Sequence, residues 1–306
     1  MTIHLIIIMA MAALTLLSAT LAHAQESCVT PGRYYNPGAQ QSVSIEETLR
    51  RAAKHQVVLL GEHHDNVEHH RWQLHTVAAL AALRPKIVLG LEMVPRRLQP
   101  VLDLWIKGQL SEDALIKKLK WDDIWSFDIQ YYLPLFHLAR MQRIPLYALN
   151  VERELFNRVT REGWDAIPQN KREGITTPAP ASKDYLRFLA ASFLGHNPPA
   201  ASGNESSSQQ DGEKFLRFVQ GQLLWDRAMA DGLAKVARVT NAPLVIGIMG
   251  SGHIVNRYGV PDQLKQLKVA DVAVLVPWDT HFDCAQLNKD FADAVFGFDI
   301  SANPAP

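Results

Sequence analysis

Gln56-Val57-Val58-Leu59-Leu60-Gly61-Glu62-His63-His64-Asp65 decides the fold. An uncharged, largely apolar run stops at a glycine, and two acids and two histidines follow at once. A short apolar run of this kind suits a strand buried on both faces, as in a parallel sheet covered by helices. Four further runs have the same form: Lys86–Leu91, Ile144–Leu149, Leu244–Met249 and Val272–Val276. Helical patterns lie around them. Ser44–Lys54 opens on Ser44-x-x-Glu47, the pattern of a capping box. Asn66–Leu83 is stopped by Pro85, and Pro134–Arg140 and Phe215–Arg238 precede the third and fourth runs. Alternation of this kind is the signature of βαβ units. The expected fold class is α/β, a parallel sheet core flanked by helices with an inserted smaller helical subdomain.

Each apolar run ends in polar chemistry. The first gives Glu62, His63, His64 and Asp65, the second Glu92, and the third Asn150 and Glu152. The fourth gives Gly250-Ser251-Gly252-His253 and the fifth Trp278-Asp279-Thr280-His281. In an open parallel sheet, ligands bind beyond the carboxyl ends of the strands, so these groups are expected to meet in one cleft. Imidazole nitrogens and carboxylate oxygens bind divalent cations and also move protons. Glu62, His64, Glu92 and His253 are therefore the candidate catalytic residues, and His64, His253 and Glu62 the candidate metal ligands. Asp65 and Asn150 read equally well as helix caps. His69, His70 and His75 read as a solvated helix face. The spacing from His64 to His69 is not that of a zinc-binding helix pair, and no Gly-x-Ser-x-Gly elbow supplies a serine nucleophile. Trp121, Trp125, Phe127, Tyr131, Tyr132 and Phe136 suit core packing, or the wall of a pocket for a flat cofactor with a tyrosine oxygen on iron.

The chain has 306 residues, and its acids and bases balance at 31 each. No bulk field points to nucleic acid or an anionic membrane. Met1–Ala24 lacks Lys, Arg, Asp and Glu, and its apolar run ends at Ala22-His23-Ala24. That suits a cleaved signal peptide over 1–24, with an uncleaved anchor as the alternative. Gln25-Glu26-Ser27 before Cys28 is not a lipobox, so the expected location is periplasmic without lipidation. Cys28 and Cys284 are the only cysteines and are expected to pair in an oxidising compartment, with two unpaired thiols as the alternative. Residues 25–43 read as an N-terminal tail, 44–150 with 238–285 as the α/β core, and 286–306 as a C-terminal tail. The long interval 151–237 reads as a helical subdomain, and 195–212 within it as a mobile loop rich in Ser, Asn, Pro, Gly and Gln.

The ordered set Gly61-Glu62-His63-His64-Asp65, Gly90-Leu91-Glu92-Met93, Trp121 with Trp125, Ala148-Leu149-Asn150, Gln222-Leu223-Leu224-Trp225-Asp226 and Gly250-Ser251-Gly252-His253 resembles the ChaN-type haem-binding, iron-regulated proteins. More distantly it resembles the Tiki and TraB proteins and the erythromycin esterases. The resemblance runs from about Ser44 to Val276. It implies an α/β sheet with a helical subdomain, haem held between two subunits of a homodimer, and partners in envelope iron uptake. It implies that Tyr132, with Tyr131 beside it, contacts haem iron. A haem pocket also needs cations for the propionates, for which Arg97, with Arg96, Arg140 and Arg143, is a candidate. In the hydrolytic relatives, residues matching Glu62, His64, Glu92 and His253 form the active centre. A hydrolase activating water there, with or without a divalent metal, is the alternative function. Many members carry a lipobox, and its absence here leaves membrane attachment open.

Overall fold

Val57–Leu60, the strand expected from the opening stretch, lies between two parallel neighbours at the centre of an eight-stranded sheet. The computed structural model describes residues 28–196, 205–280 and 282–299. In chain order the elements are β1 (Tyr34–Asn36), β2 (Gln41–Val43), α1 (Ile45–Ala52), β3 (Val57–Leu60), α2 (Val67–Leu83) and β4 (Ile87–Pro95). Next come α3 (Gln99–Ile106), α4 (Glu112–Leu119), α5 (Trp121–Ile124), α6 (Leu133–Gln142), β5 (Leu146–Asn150), α7 (Arg153–Glu162) and α8 (Lys183–His196). The last are α9 (Glu205–Ala237), β6 (Leu244–Ile248), α10 (Val260–Gln266), β7 (Val272–Asp279) and β8 (Ala294–Phe298).

The strand order is β2-β1-β8-β7-β3-β6-β4-β5. The five expected strands are the contiguous parallel block β7-β3-β6-β4-β5. Two apolar layers cover its faces. One joins Val58 and Leu60 to α1–α6, with Trp105, Trp121 and Phe136 buried in it. The other joins Val57 and Leu59 to Met229, Leu233 and Ala237 of α9 and Leu264 of α10. Each fully buried large apolar side chain contributes about 1.5–3 kcal/mol, so these layers are the main force fixing the sheet.

Three strands correct the sequence reading. β8 extends the block in parallel through Leu275↔Ala294, and β1 and β2 follow it antiparallel. Both segments read as tails, 25–43 and 286–306, thus carry sheet strands. β1 and β2 span three residues each, too short for a period to register. Within 195–212, α9 already begins at Glu205, while residues 197–204 lie outside the described residues. So do the expected signal peptide, His281 and residues 300–306. α9 ends at Ala237, and its C-terminal half packs on the core sheet. Among the described residues no helix is long and apolar enough to cross a membrane.

Register explains the placement of the site. Leu60 of β3 and Leu91 of β4 both pair with Ile248 of β6. Glu62, Glu92 and Gly250 are each one or two residues further on, so parallel pairing delivers them at one level. The Cys28–Cys284 disulfide forms as expected and ties the start of the described chain to the segment after β7.

Candidate functional site

Glu62 leaves β3 completely buried. Its Oε1 accepts from the Tyr132 hydroxyl at 2.9 Å and lies 2.8 Å from His64 Nδ1. The carboxylate accepts a hydrogen bond from Nδ1–H, so Nε2 is the free edge of His64. The ring packs edge-on to Trp125, centroids 4.9 Å apart, and tilts over Phe127 at 4.9 Å. Gly250 lies beneath it, and a Cβ there would sit 3.0 Å from both Cε1 and Nε2. Burial lowers the proton affinity of His64, but the hydrogen bond to Glu62 and the charges of Glu92 and Glu62 raise it above its usual value overall.

Glu92 accepts the Gly250 N–H at 2.7 Å and lies 3.4 Å from His253 Nε2. His253 Nδ1 lies 2.7 Å from Asp226 of α9. Tyr185 donates to the other Asp226 oxygen at 2.7 Å. With a carboxylate at each nitrogen, His253 is an imidazolium. Burial opposes this charge, but Glu92 and Asp226 push its pKa up to about 10. Burial likewise opposes charge on Glu92, yet His253 and His64 hold it at about 2. Burial pushes Asp226 up, against the pull of His253 and Tyr185.

All four candidate catalytic residues thus converge, and sequence reasoning missed Asp226 and Tyr185. Asp226 was visible only as part of the Trp225-Asp226 motif. Glu62, His64, Gly250 and His253 line a cavity of about 360 Å³ with Phe127, Phe188 and Phe218. Phe127 also lines a neighbouring cavity of about 480 Å³, walled by Trp125, Phe156 and Trp225, with Arg97 and Arg153 on it. Chemically the cleft offers a base or ligand at His64 Nε2, a fixed cation at His253, and aromatic walls.

Several expected roles need correction. Among the described residues, no group of three or more His, Cys, Asp or Glu is arranged to hold a metal ion. His64, His253 and Glu62 do not form a divalent-metal site, because an imidazolium has no lone pair to give. Tyr132 is buried, with its hydroxyl between Glu62 and Trp125 Nε1, and burial beside Glu62 drives its pKa upward. It supports Glu62 and has no open face for iron. Tyr131 stacks on His70, centroids 5.4 Å apart, and does not line either cavity. Arg97 is exposed on the larger cavity and pairs with Glu152 at 2.7 Å. Arg96 instead donates to the Ala228 carbonyl, and Arg140 caps Leu110 while covering Trp105. Arg143 closes α6 with a left-handed backbone. Asp65 lines the smaller cavity, while Asn66 caps α2. His69 and His70 are buried, against the expected solvated face, and only His75 is exposed.

The family model described as haem-binding uptake, Tiki superfamily, ChaN, matches residues 48–264. The solved structure of ChaN of Campylobacter jejuni with cofacial haem is 20% identical and has a TM-score of 0.66, covering 86% of this chain and 95% of that one. A mutant of the erythromycin esterase EreC is 11% identical over 80% of this chain and 77% of its own, with a TM-score of 0.47. The type III effector HopBA1 is 13% identical over 90% and 99%, with a TM-score of 0.45. No curated protein matches the chain.

Proposed function

The chain belongs to the ChaN haem-binding uptake family of the Tiki superfamily, and from that membership we propose that it binds haem for iron acquisition, in the aromatic cleft beside His64. One observation carries the placement. His64 has one nitrogen fixed by a buried carboxylate and the other free at a cavity with aromatic walls. A carboxylate-held imidazole is a favourable iron ligand, because the second partner fixes tautomer and orientation. The residues present fit the group. Phe127, Phe188, Phe218, Trp125 and Trp225 suit a flat apolar ring, and Arg97 and Arg153 suit its carboxylates. When bound, haem would supply the iron cargo. The chain's own residues would orient and shield it.

Export to the periplasm, a homodimer sharing the haem and envelope iron-uptake partners belong to the same proposal. The Cys28–Cys284 disulfide supports an oxidising compartment. Hemin titration tests the reading. We expect a stoichiometric Soret band in the wild type, lost or displaced in His64→Ala and retained in Tyr132→Phe. A wild type inert toward hemin would overturn haem binding, and an unchanged band in His64→Ala would overturn the placement. Cell fractionation and sedimentation with and without hemin test location and dimerisation.

A further inference from the structure

His69 and His70 sit on the first turn of α2, beneath the loop that carries His64. Both are buried, 1% and 6% exposed. Each spends a ring nitrogen on that loop's backbone. His69 Nδ1 accepts the His63 N–H at 3.0 Å, and His70 Nε2 donates to the His64 carbonyl at 3.1 Å. An amide N–H only donates, so His69 Nδ1 is bare and its proton rides on Nε2. That Nε2 faces Asp279 Oδ1, 3.5 Å away at the end of β7. A carbonyl only accepts, so His70 also carries its proton on Nε2.

Neither ring is free to turn. His70 is stacked on Tyr131 and meets Tyr132 edge-on at 4.6 Å. His69 lies 5.1 Å from both His63 and Phe298. The backbone is therefore gripped on both sides of the His63–His64 pair, while Glu62 holds the His64 ring itself. We infer that His69 and His70 are positioning residues for His64, acting through the loop backbone and, for His70, also beside Glu62, whose Oε2 lies 3.3 Å from His70 Nδ1. This deepens the haem reading, since it concerns the imidazole on which that reading places the iron.

Side-chain amides of different length test the grip without emptying the site. Asn puts a polar atom near the position of His Nδ1, and Gln near that of His Nε2. At position 69 the acceptor must stand at Nδ1, so His69→Asn should preserve the grip and His69→Gln should not. At position 70 the donor must stand at Nε2, so His70→Gln should preserve it and His70→Asn should not. Two readouts apply: hemin affinity by Soret titration, and the ¹⁵N-detected Nδ1–H signal of His64 in the ligand-free protein. The wrong-length variants should bind hemin about ten- to a hundredfold more weakly, as for lost outer-shell partners of a metal ligand. They should also lose the His64 Nδ1–H signal, while the matched variants keep both. The inference falls if the wrong-length variants keep that signal, or if matched and wrong-length variants behave alike. If the wild type does not bind hemin at all, the functional reading falls instead, and the ligand-free signal still decides the grip.

Discussion

Replacing Glu92 by Gln removes one charge from a buried ion group. Glu92 and Asp226 bracket His253, at 3.4 Å and 2.7 Å. The substitution preserves shape and leaves Gln an oxygen for the Gly250 N–H, so the lost quantity is the charge. Moving a carboxyl from 4.5 to about 2 is worth about 3 kcal/mol, at about 1.4 kcal/mol per pH unit. Breaking a buried pair by removing one partner costs about 3–5 kcal/mol. Asp226 still compensates His253, so the expected loss is about 3 kcal/mol at pH 7. The pH dependence separates this from a packing defect. A depressed carboxyl contributes stability that is present above its unfolded value, 4.5, and is lost as pH falls through about 2. His253 works in the other direction: its contribution is complete below 6.5 and is lost as pH rises through about 10. Urea denaturation from pH 2 to 10 should therefore show the wild type losing stability at both ends. Glu92→Gln should start lower and flatten, with the acid fall reduced. A variant within about 1 kcal/mol of wild type at pH 7, or a wild-type acid limb shifted down in parallel, would refute the assignment of charge to this pair.

Gly250→Ala places a methyl 3.0 Å from the His64 ring, so it should displace the imidazole and weaken hemin binding while leaving far-UV circular dichroism unchanged. Tyr132→Phe strips a donor from buried Glu62 and an acceptor from Trp125, and should cost about 1–3 kcal/mol in a denaturant titration. Arg97→Glu should weaken hemin binding more at low than at high ionic strength, because it reverses an exposed charge beside the larger cavity. Reduction of the Cys28–Cys284 disulfide, 256 residues apart, should lower stability by about 5 kcal/mol if loop closure dominates, read as a lower denaturation midpoint in reductant.

What the sequence reveals follows from how local each signal is. β3, β4, β5, β6 and β7 are continuous apolar runs buried on both faces, so composition alone exposes them. Parallel pairing then carries Glu62, Glu92 and His253 to one edge without further information. β8 reads Ala-Val-Phe-Gly-Phe with alternating burial at its end, and only its pairing to β7 and β1 makes it a strand. His69 and His70 fail for a related reason. Their helix shows no apolar stripe, and a histidine on such a helix normally faces water. Here the turn before the helix folds back over them, and two backbone groups take the place of solvent at one nitrogen of each ring. Asp226 lies mid-helix, more than twenty residues before His253, and no spacing rule relates the two. Its meaning appears only when α9 packs beneath the β6 end and leaves an imidazole between two carboxylates. The charged half of the site is therefore a property of packing: strand ends bring the histidine and one acid, and a helix from the inserted segment supplies the acid that fixes its charge.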